Sequence, residues 1–353
     1  MSFATTVLRS RAKRLRIRPD RPAVIIGERC NTLGYRSMRS AVERGDFDFV
    51  AEQAVRQVEA GADIINVNMV GLDRPERELL PLAVRAIAAA VDVPLSLDFG
   101  DPEALKAALP LIEGTALINS VSGEEEKLKA VLPLMKEYGA AAIAMTCDDD
   151  GIPYSAQGRL AWRRKIVERA AAMGIEPERF IFDCIAMGIG TDETAGRVTF
   201  ETMRLVRSEF GANITLGASN ISFGLPKRRT LDAAYLAAAI THGLNCPITD
   251  PTNPQLKWSI LAADAITGSD PLGIRFIKAY RAEEAERQKA AGTHGGPGAQ
   301  GGPGEGAALG PQNGEQGRLG AREGAGAPPA GEAPASGGAQ QSPGSSGAAG
   351  SGV

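Results

Sequence analysis

Residues 46–68 read DFDFVAEQAVRQVEAGADIINVN. The first part of this stretch, 46–60, carries apolar side chains at near-helical spacing, at Phe49, Val50, Ala54 and Val58. Gly61 then interrupts the pattern, and a short run rich in β-branched residues follows at 63–68. The stretch therefore predicts a helix, a glycine turn and a strand.

The same alternation of strand and helix occurs eight times between residues 23 and 268. The strand-like runs cover 23–28, 63–68, 94–98, 116–119, 140–146, 180–183, 214–218 and 246–249. The helix-like stretches cover 46–60, 76–90, 102–109, 124–138, 160–173, 200–210, 231–242 and 255–266. Strand runs that are nearly all apolar are buried on both faces, which indicates parallel strands. Eight such units in about 250 residues predict an α/β fold, a closed (β/α)8 TIM barrel.

A doubly wound open sheet is the alternative fold. Such sheets usually carry a glycine-rich nucleotide turn, GxGxxG, after their first strand. Here the first turn reads GERCNTLG at 27–34, which does not fit that pattern.

Composition divides the chain of 353 residues into three parts. Residues 1–22 form a basic leader, which we interpret as a solvated segment lying across one end of a domain. A dock for an acidic partner and a mitochondrial presequence are the less favoured interpretations. Residues 23–287 form the barrel. Residues 288–353 are rich in Gly, Ala and Pro, with no aromatic residue after Tyr280, and this composition predicts a disordered tail.

Several functional classes are excluded or disfavoured by composition. A net charge of -3 argues against a general nucleic-acid binder, and no apolar run is long enough for a membrane span. The four cysteines are widely spaced, so we expect reduced thiols in a cytoplasmic protein rather than disulfides or a zinc site. With two histidines, His242 and His294, the chain cannot build a histidine triad or a multi-histidine metal site.

Polar side chains lie at the C-terminal ends of the predicted strands, among them Asn31, Asn68, Asp98, Asn119, Asp183 and Asn220. Burial of so many carboxylates and amides costs free energy unless a ligand or a loop bonds them. In a barrel these strand ends converge on one mouth, where the chemistry occurs. Because Asp accepts paired hydrogen bonds and Asn both donates and accepts, the pocket suits a neutral heterocycle. A phosphorylated sugar is disfavoured, since the last turn, DPTN at 250–253, has no glycines.

Five motifs carry a family resemblance: GERCN at 27–31, LD at 97–98, INS at 118–120, FD at 182–183 and ASNISFGLP at 218–226. Together they resemble the pterin-binding methyltransferases. This family includes the methyltetrahydrofolate:corrinoid protein methyltransferases and the folate module of cobalamin-dependent methionine synthase. The resemblance covers about residues 23–281, and dihydropteroate synthase is a more distant relative with the same barrel.

The resemblance implies roles for individual residues. Asp98, Asp183 and Asn119 would hold the pterin ring, and Asn220 would lie near N5, the atom that carries the methyl group. Asn31 and Asn68 would be further residues of the pterin-binding mouth. We expect Asn220 and Asp183 to be catalytic, with Asn220, Asp183 and Asp98 in one hydrogen-bond network that stabilises the protonated pterin.

The implied reaction moves a methyl group between N5 of methyltetrahydrofolate, or a related tetrahydropterin, and the cobalt of a corrinoid, in a direction left open. The chain has no DxHxxG-type cobalamin motif, so the corrinoid, a cobalamin, would arrive free or on a partner corrinoid protein. We expect no metal bound by the chain itself, no nucleic-acid or membrane partner, and a homodimer.

Two other functions are considered. A dihydropteroate synthase would need a Ser-Arg-Lys cluster at the seventh strand, where this chain reads SNIS at 219–222. A non-catalytic pterin-binding subunit of a corrinoid complex would bind the pterin without transferring methyl.

The roles of two charged clusters are also left open. DDD at 148–150 is predicted to be a solvated loop, and KRR at 227–229 could contact a folate glutamate tail, the corrinoid partner or only solvent.

Overall fold

The computed structural model describes residues 4–147 and 151–292. The predicted tail beyond Gly292, including His294, and the acidic cluster Asp148 to Asp150 lie outside the described residues. Among the helices that are described, none is both long and apolar enough to cross a membrane.

Eight parallel strands close into a barrel, which confirms the predicted fold and excludes the open sheet. Two short strands, β1 (Thr6–Arg9) and β2 (Arg14–Ile17), precede them. The barrel strands are β3 (Ile26–Asn31), β4 (Ile64–Asn68), β5 (Leu95–Asp98), β6 (Leu117–Val121), β7 (Ala141–Met145), β8 (Phe180–Asp183), β9 (Asn213–Gly217) and β10 (Cys246–Thr249). They follow chain order around the ring, and β10 pairs with β3 to close it.

Helices cover the outside of the barrel. They are α1 (Arg36–Glu43), α2 (Phe47–Ala60), α3 (Glu76–Ala90), α4 (Pro102–Ala108), α5 (Glu125–Tyr138), α6 (Ala156–Ala172), α7 (Ala195–Phe210), α8 (Arg228–Thr241), α9 (Pro254–Thr267) and α10 (Ile274–Gly292). The eight predicted helices are α2 to α9, whereas α1 and α10 were not predicted. α10 continues five residues past 287, where the sequence interpretation ended the barrel domain.

Residues at both ends of α2, the helix of the stretch 46–68, explain where it begins and ends. The Asp46 side chain accepts a hydrogen bond from the amide of Phe49, which caps the N-terminus of α2. Gly61 ends the helix at a φ of 110°, in the left-handed region that favours glycine. The chain then enters β4, every residue of which is buried.

The basic leader forms a β-hairpin that closes the N-terminal end of the barrel. β1 and β2 pair antiparallel, and Leu8 and Ile17 are fully buried against apolar side chains of the barrel interior. From β9, Nδ2 of Asn213 donates hydrogen bonds to the carbonyl of Ile17 at 3.0 Å and to Oγ1 of Thr6 at 2.9 Å. The segment does lie across one end of the domain, but its apolar side chains are core residues, which the sequence interpretation did not foresee.

The barrel interior is apolar at the N-terminal ends of the strands and polar at their C-terminal ends. The apolar end contains Ile26, Ile64, Leu117, Ile143 and Ile181, which pack on the hairpin. Because side chains in a strand alternate with a period of two, the next inward positions toward the C-terminal ends follow two residues later. Those positions include Asn66, Asn119 and Asp183. The fold thus turns a polar layer toward one mouth.

Candidate active site

Four of the six predicted site residues form a row across adjacent strands. Asn31 of β3 is in register with Asn68 of β4, Asn68 with Asp98 of β5, and Asp98 with Asn119 of β6. Residues in register on neighbouring parallel strands point to the same face of the sheet. The row therefore brings three carboxamides and one carboxylate to one side of the mouth, and its central part is Asn68, Asp98 and Asn119.

Asn66, one inward position below this row, holds two of its members, Asp98 and Asn119. Its Nδ2 donates to Oδ2 of Asp98 at 3.1 Å, and its Oδ1 accepts from Nδ2 of Asn119 at 3.1 Å and from Oγ of Ser96 at 2.9 Å. Burial raises the pKa of Asp98, while hydrogen bonds from Asn66 and Asn68 and the charge of Lys127 act in the opposite direction. Asn66 was not among the predicted site residues.

Asp183 lies at the end of β8, across the mouth from Asp98. Its Oδ1 accepts a hydrogen bond from the amide of Ile185 at 2.7 Å. The Arg159 guanidinium, itself 1% exposed, holds the same loop by donating to the carbonyls of Cys184 and Ile185. Burial raises the pKa of Asp183 to about 6, although the Ile185 amide and Arg159 favour its charged form.

Asn31 and Asn220 line a cavity of about 650 Å³ at the mouth, between the ends of β3 and β9 and the start of α8. Asn220 lies on a short 3-10 helix, Ala218–Ser222, and its side chain is exposed to this cavity. Asn31 is more constrained, because its Oδ1 accepts hydrogen bonds from the amides of Leu33 and Gly34 and shapes the following turn.

A network that joins Asn220, Asp183 and Asp98 around a protonated pterin stays a prediction, because it includes the ligand. No direct hydrogen bond connects these three side chains, all of which belong to the described residues. The physical reason is the position of their strands: β5 and β8 are three places apart around the ring, and Asn220 follows β9. The side chains face one mouth from different sides.

Glu28, at the end of β3, lines the same cavity and was not among the predicted site residues. Its Oε1 accepts from the Tyr35 hydroxyl at 3.3 Å, and its Oε2 accepts from Oγ of Ser219 at 3.5 Å. Burial, followed by the charge of Asp250, raises the pKa of Glu28 to about 7. The position at a strand end was the only sequence signal.

The basic cluster at 227–229 lies on the rim of the cavity. Arg228 donates from Nε to Oγ of Ser222 at 3.0 Å and from Nη2 to the carbonyl of Ser219 at 2.7 Å. Arg229 lies 3.8 Å from Oδ2 of Asp250, which is also paired with Arg29 at 2.9 Å. Arg228 thus steadies the loop that carries Asn220, and Arg229 is partly neutralised.

Metal-ligating side chains do not cluster within residues 4–147 and 151–292. No group of three or more His, Cys, Asp or Glu side chains there could hold a metal ion.

Comparisons with known proteins agree with the geometry. A family model described as pterin binding enzyme matches residues 27–250. The methylcorrinoid:tetrahydrofolate methyltransferase of Eubacterium limosum is 34% identical over 263 residues, which cover 73% of this chain and 96% of that protein. The methionine synthase of Mycobacterium tuberculosis is 29% identical over 244 residues, 65% of this chain but 20% of that much longer protein.

Solved structures show the same fold. The dihydropteroate synthase of Yersinia pestis aligns with a TM-score of 0.56 and 18% identity, covering 74% of this chain and 99% of that one. The enzyme of Xanthomonas albilineans aligns with a TM-score of 0.57 and 21% identity, covering 74% and 98%. At such identities the likeness concerns the fold alone. The family match and the relative aligned over nearly its whole length place this chain in the family of pterin binding enzymes.

Proposed function

We propose that this chain is a methyltransferase that moves a methyl group between N5 of a tetrahydrofolate and the cobalt of a corrinoid. The observation that carries the proposal is the row of Asn68, Asp98 and Asn119 on three adjacent strands, facing Asp183 across the mouth. The relative from Eubacterium limosum, whose name contains both substrates, supports the same assignment.

The hydrogen bonds already present limit what each side chain can offer a pterin. Nδ2 of Asn119 is engaged by Asn66, so its carbonyl oxygen is left to accept from a ring N–H. One oxygen of Asp98 is bonded to Asn66 and one oxygen of Asp183 to a loop amide. Each carboxylate keeps lone pairs for the 2-amino group or an adjacent ring N–H. The pterin edge is thus held from both sides of the mouth.

Asn220 is the residue we place beside N5. Its side chain is exposed to the cavity, and the loop that carries it is fixed from behind by Arg228. When N5 carries a proton, the Asn220 carbonyl oxygen can accept a hydrogen bond from it and stabilise the positive charge. Asp183 contributes a negative charge from the end of β8, Asn31 lines the cavity with Asn220, and Asn68 lies in register with Asp98.

The corrinoid enters this proposal as a substrate brought by a partner protein or free in solution. Two large apolar side chains on the cavity wall are exposed, Leu33 at 62% and Phe223 at 69%. Exposed apolar groups beside a reactive cavity suit a transient protein contact. We therefore propose that the partner contacts the rim formed by Leu33 and Phe223.

We also propose a homodimer and a cytoplasmic location. A second exposed apolar surface, the α9–α10 face, supports the dimer; it comprises Ile266, Leu272, Ile274, Ile277 and Tyr280. None of the four cysteines forms a disulfide, which suits a reducing compartment.

A spectroscopic assay tests the proposed function. Methylcobalamin and tetrahydrofolate are mixed with the full chain, and loss of the methylcobalamin absorbance is followed anaerobically; Co(I) cobalamin with methyltetrahydrofolate is run in parallel. We expect enzyme-dependent turnover in at least one mixture. Pterin binding without turnover, including with a purified corrinoid protein, would instead support a non-catalytic subunit. Condensation of p-aminobenzoate with a pterin pyrophosphate would support a dihydropteroate synthase.

A further inference from the structure

Glu28 differs from the other carboxylates of the mouth in its hydrogen-bonding partners. Both of its side-chain contacts are neutral hydroxyl groups, on Tyr35 and Ser219. No Lys or Arg side chain in the described parts of the chain lies within ion-pair distance of it. Asp250, by contrast, is paired with Arg29 and Arg229 and bonded to Thr252. Asp250 therefore has a structural role, whereas no ion pair accounts for Glu28.

The groups around Glu28 together place the pKa of its carboxyl group near neutrality. Burial raises its pKa most, and the charges of Asp250 and Asp232 raise it further. The Tyr35 hydroxyl and the Arg229 charge lower it, which leaves a pKa of about 7. Arg29 also lies close, but its guanidinium is paired with Asp250 and stacked over the Tyr35 ring at 4.6 Å. A group with a pKa near neutrality is suited to proton transfer.

The position of Glu28 relative to the proposed N5 site is also suitable. Ser219, which bonds Glu28, directly precedes Asn220, and both Glu28 and Asn220 line the same cavity. Glu28 approaches this cavity from β3, whereas Asn220 approaches it after β9. A ring atom bound beside Asn220 would therefore lie in the cavity that Glu28 also lines.

On the basis of the proposed function, we propose that Glu28 is the catalytic residue that exchanges the N5 proton, directly or through one water molecule. Methylation of tetrahydrofolate forms the N5–carbon bond and breaks the cobalt–carbon bond. The electron pair of the broken bond stays on cobalt, which is reduced from Co(III) to Co(I). The N5 nitrogen then loses its proton to the Glu28 carboxylate, and solvent removes it. In the opposite direction, the Glu28 carboxyl group protonates N5 before the methyl group leaves.

Other titratable groups are less suited to this task. His242, the one histidine within the described residues, lies at the end of α8 and stacks on Phe200 with a centroid distance of 4.5 Å. Asn220 does not titrate near neutrality. Asp183 is assigned to the pterin edge, with one oxygen held by a loop amide.

The test compares wild type with Glu28→Gln and Glu28→Asp in the full chain. Asp232→Asn serves as the matched control, because it also removes a buried carboxylate from the same cavity. The rate of tetrahydrofolate methylation by methylcobalamin and the rate of the reverse reaction are measured from pH 5.5 to pH 9. Pterin affinity is measured by calorimetry and folding by circular dichroism.

The two directions should have opposite pH dependences in wild type. Methylation of tetrahydrofolate should rise with pH through about 7, because Glu28 must be ionised to accept a proton. The reverse reaction should fall over the same range, because Glu28 must then be protonated. Glu28→Gln should lower both rates by about 10²–10⁴-fold and abolish the pH dependence of both rates around pH 7. Its pterin affinity should stay within a few-fold of wild type. Glu28→Asp should restore part of the rate. Asp232→Asn should keep both pH dependences but shift them to lower pH, because the Asp232 charge raises the pKa of Glu28.

Several results would overturn this assignment without touching the proposed function. One is an active wild type whose two rates depend on pH around 7 in the same way as those of Glu28→Gln. Another is a Glu28→Gln defect confined to pterin affinity, which would make Glu28 a binding residue. If Glu28→Gln did not fold, infrared difference spectra of the wild type would decide, since a carboxyl band that fails to titrate between pH 6 and pH 8 would exclude the role. Inactive wild type in both directions, also with a purified corrinoid protein, would instead refute the proposed function.

Discussion

Asn66 donates a hydrogen bond from Nδ2 to Oδ2 of Asp98 at 3.1 Å, and this bond fixes which way the Asn66 amide faces Asp98 and Asn119. Because Nδ2 of Asn66 faces Asp98, its Oδ1 must face Asn119 and Ser96. The Asn119 amide is thereby turned so that its oxygen remains for a ligand. Under the proposed function, selectivity for a pterin edge would therefore depend on Asn66, one inward position below the proposed contacts.

A double-mutant cycle at Asn66 and Asp98 tests this dependence. Asp98→Ala should raise the Kd for methyltetrahydrofolate by about 10–100-fold, because a charge-assisted hydrogen bond is lost. Asn66→Ala should weaken affinity by about 10-fold through misorientation of Asp98 and Asn119. The double variant should lose less than the sum of the two. Asp73→Ala, at an exposed loop position after β4, is the control and should leave Kd unchanged. Additive losses in calorimetry would show that Asn66 acts independently of Asp98.

Asn220→Ala should affect turnover rather than binding. We expect kcat to fall by about 10²–10³-fold, the range seen when one donor or acceptor to a developing charge is removed, while Kd for the pterin stays within a few-fold. Stopped-flow absorbance of the corrinoid and calorimetry with the pterin measure the two quantities. Equal losses in both would place Asn220 in ground-state binding.

Asp183→Asn should stabilise the ligand-free protein at high pH. The pKa of Asp183 is about 6 in the folded chain, above the unfolded value near 3.8. Its contribution to stability is therefore complete below pH 3.8 and is lost as the pH rises through 6. At pH 8 the variant should gain about 1–2 kcal/mol in free energy of unfolding, allowing for partial solvent screening, and at pH 4 it should gain little. Urea titrations at both pH values measure this. A gain of equal size at pH 4 would contradict the assigned pKa.

The N-terminal hairpin should contribute to the stability of the barrel. Leu8→Ala removes a fully buried side chain from the interior core and should lower the free energy of unfolding by about 2–5 kcal/mol. Arg11→Ala, at the exposed turn between β1 and β2, is the matched control and should change it by less than about 0.5 kcal/mol. Denaturant unfolding compares the two variants. Equal free energies of unfolding for the two variants would show that the hairpin does not stabilise the barrel.

Much of the fold could be predicted because the parallel strands of a barrel can be recognised from local sequence. Each is a short run bounded by a glycine or a polar residue, and each precedes a helix with regular apolar spacing, as 63–68 and 76–90 illustrate. The hairpin escaped notice because its two core side chains, Leu8 and Ile17, lie among arginines whose charge dominates the composition. The alternation in RLRI at 14–17 was the available signal.

The candidate site was predicted in part for the same reason. Strand ends of a barrel meet at one mouth, so Asp98, Asn119 and Asp183 could be selected by position. Asn66 was missed although it precedes Asn68 by one period of two, which places both on the same face. The special state of Glu28 could not be predicted, since it depends on Tyr35, Asp232 and Asp250, which only the closed ring brings near.

The most direct test of the central claim is a crystal structure of the chain with methyltetrahydrofolate. We predict that the pterin ring lies in the mouth, with its 2-amino and ring N–H groups hydrogen-bonded to Asp98 and Asp183, and with N5 beside Asn220 and Glu28. A pterin bound elsewhere on the chain, or a ring that contacts neither carboxylate, would contradict the account.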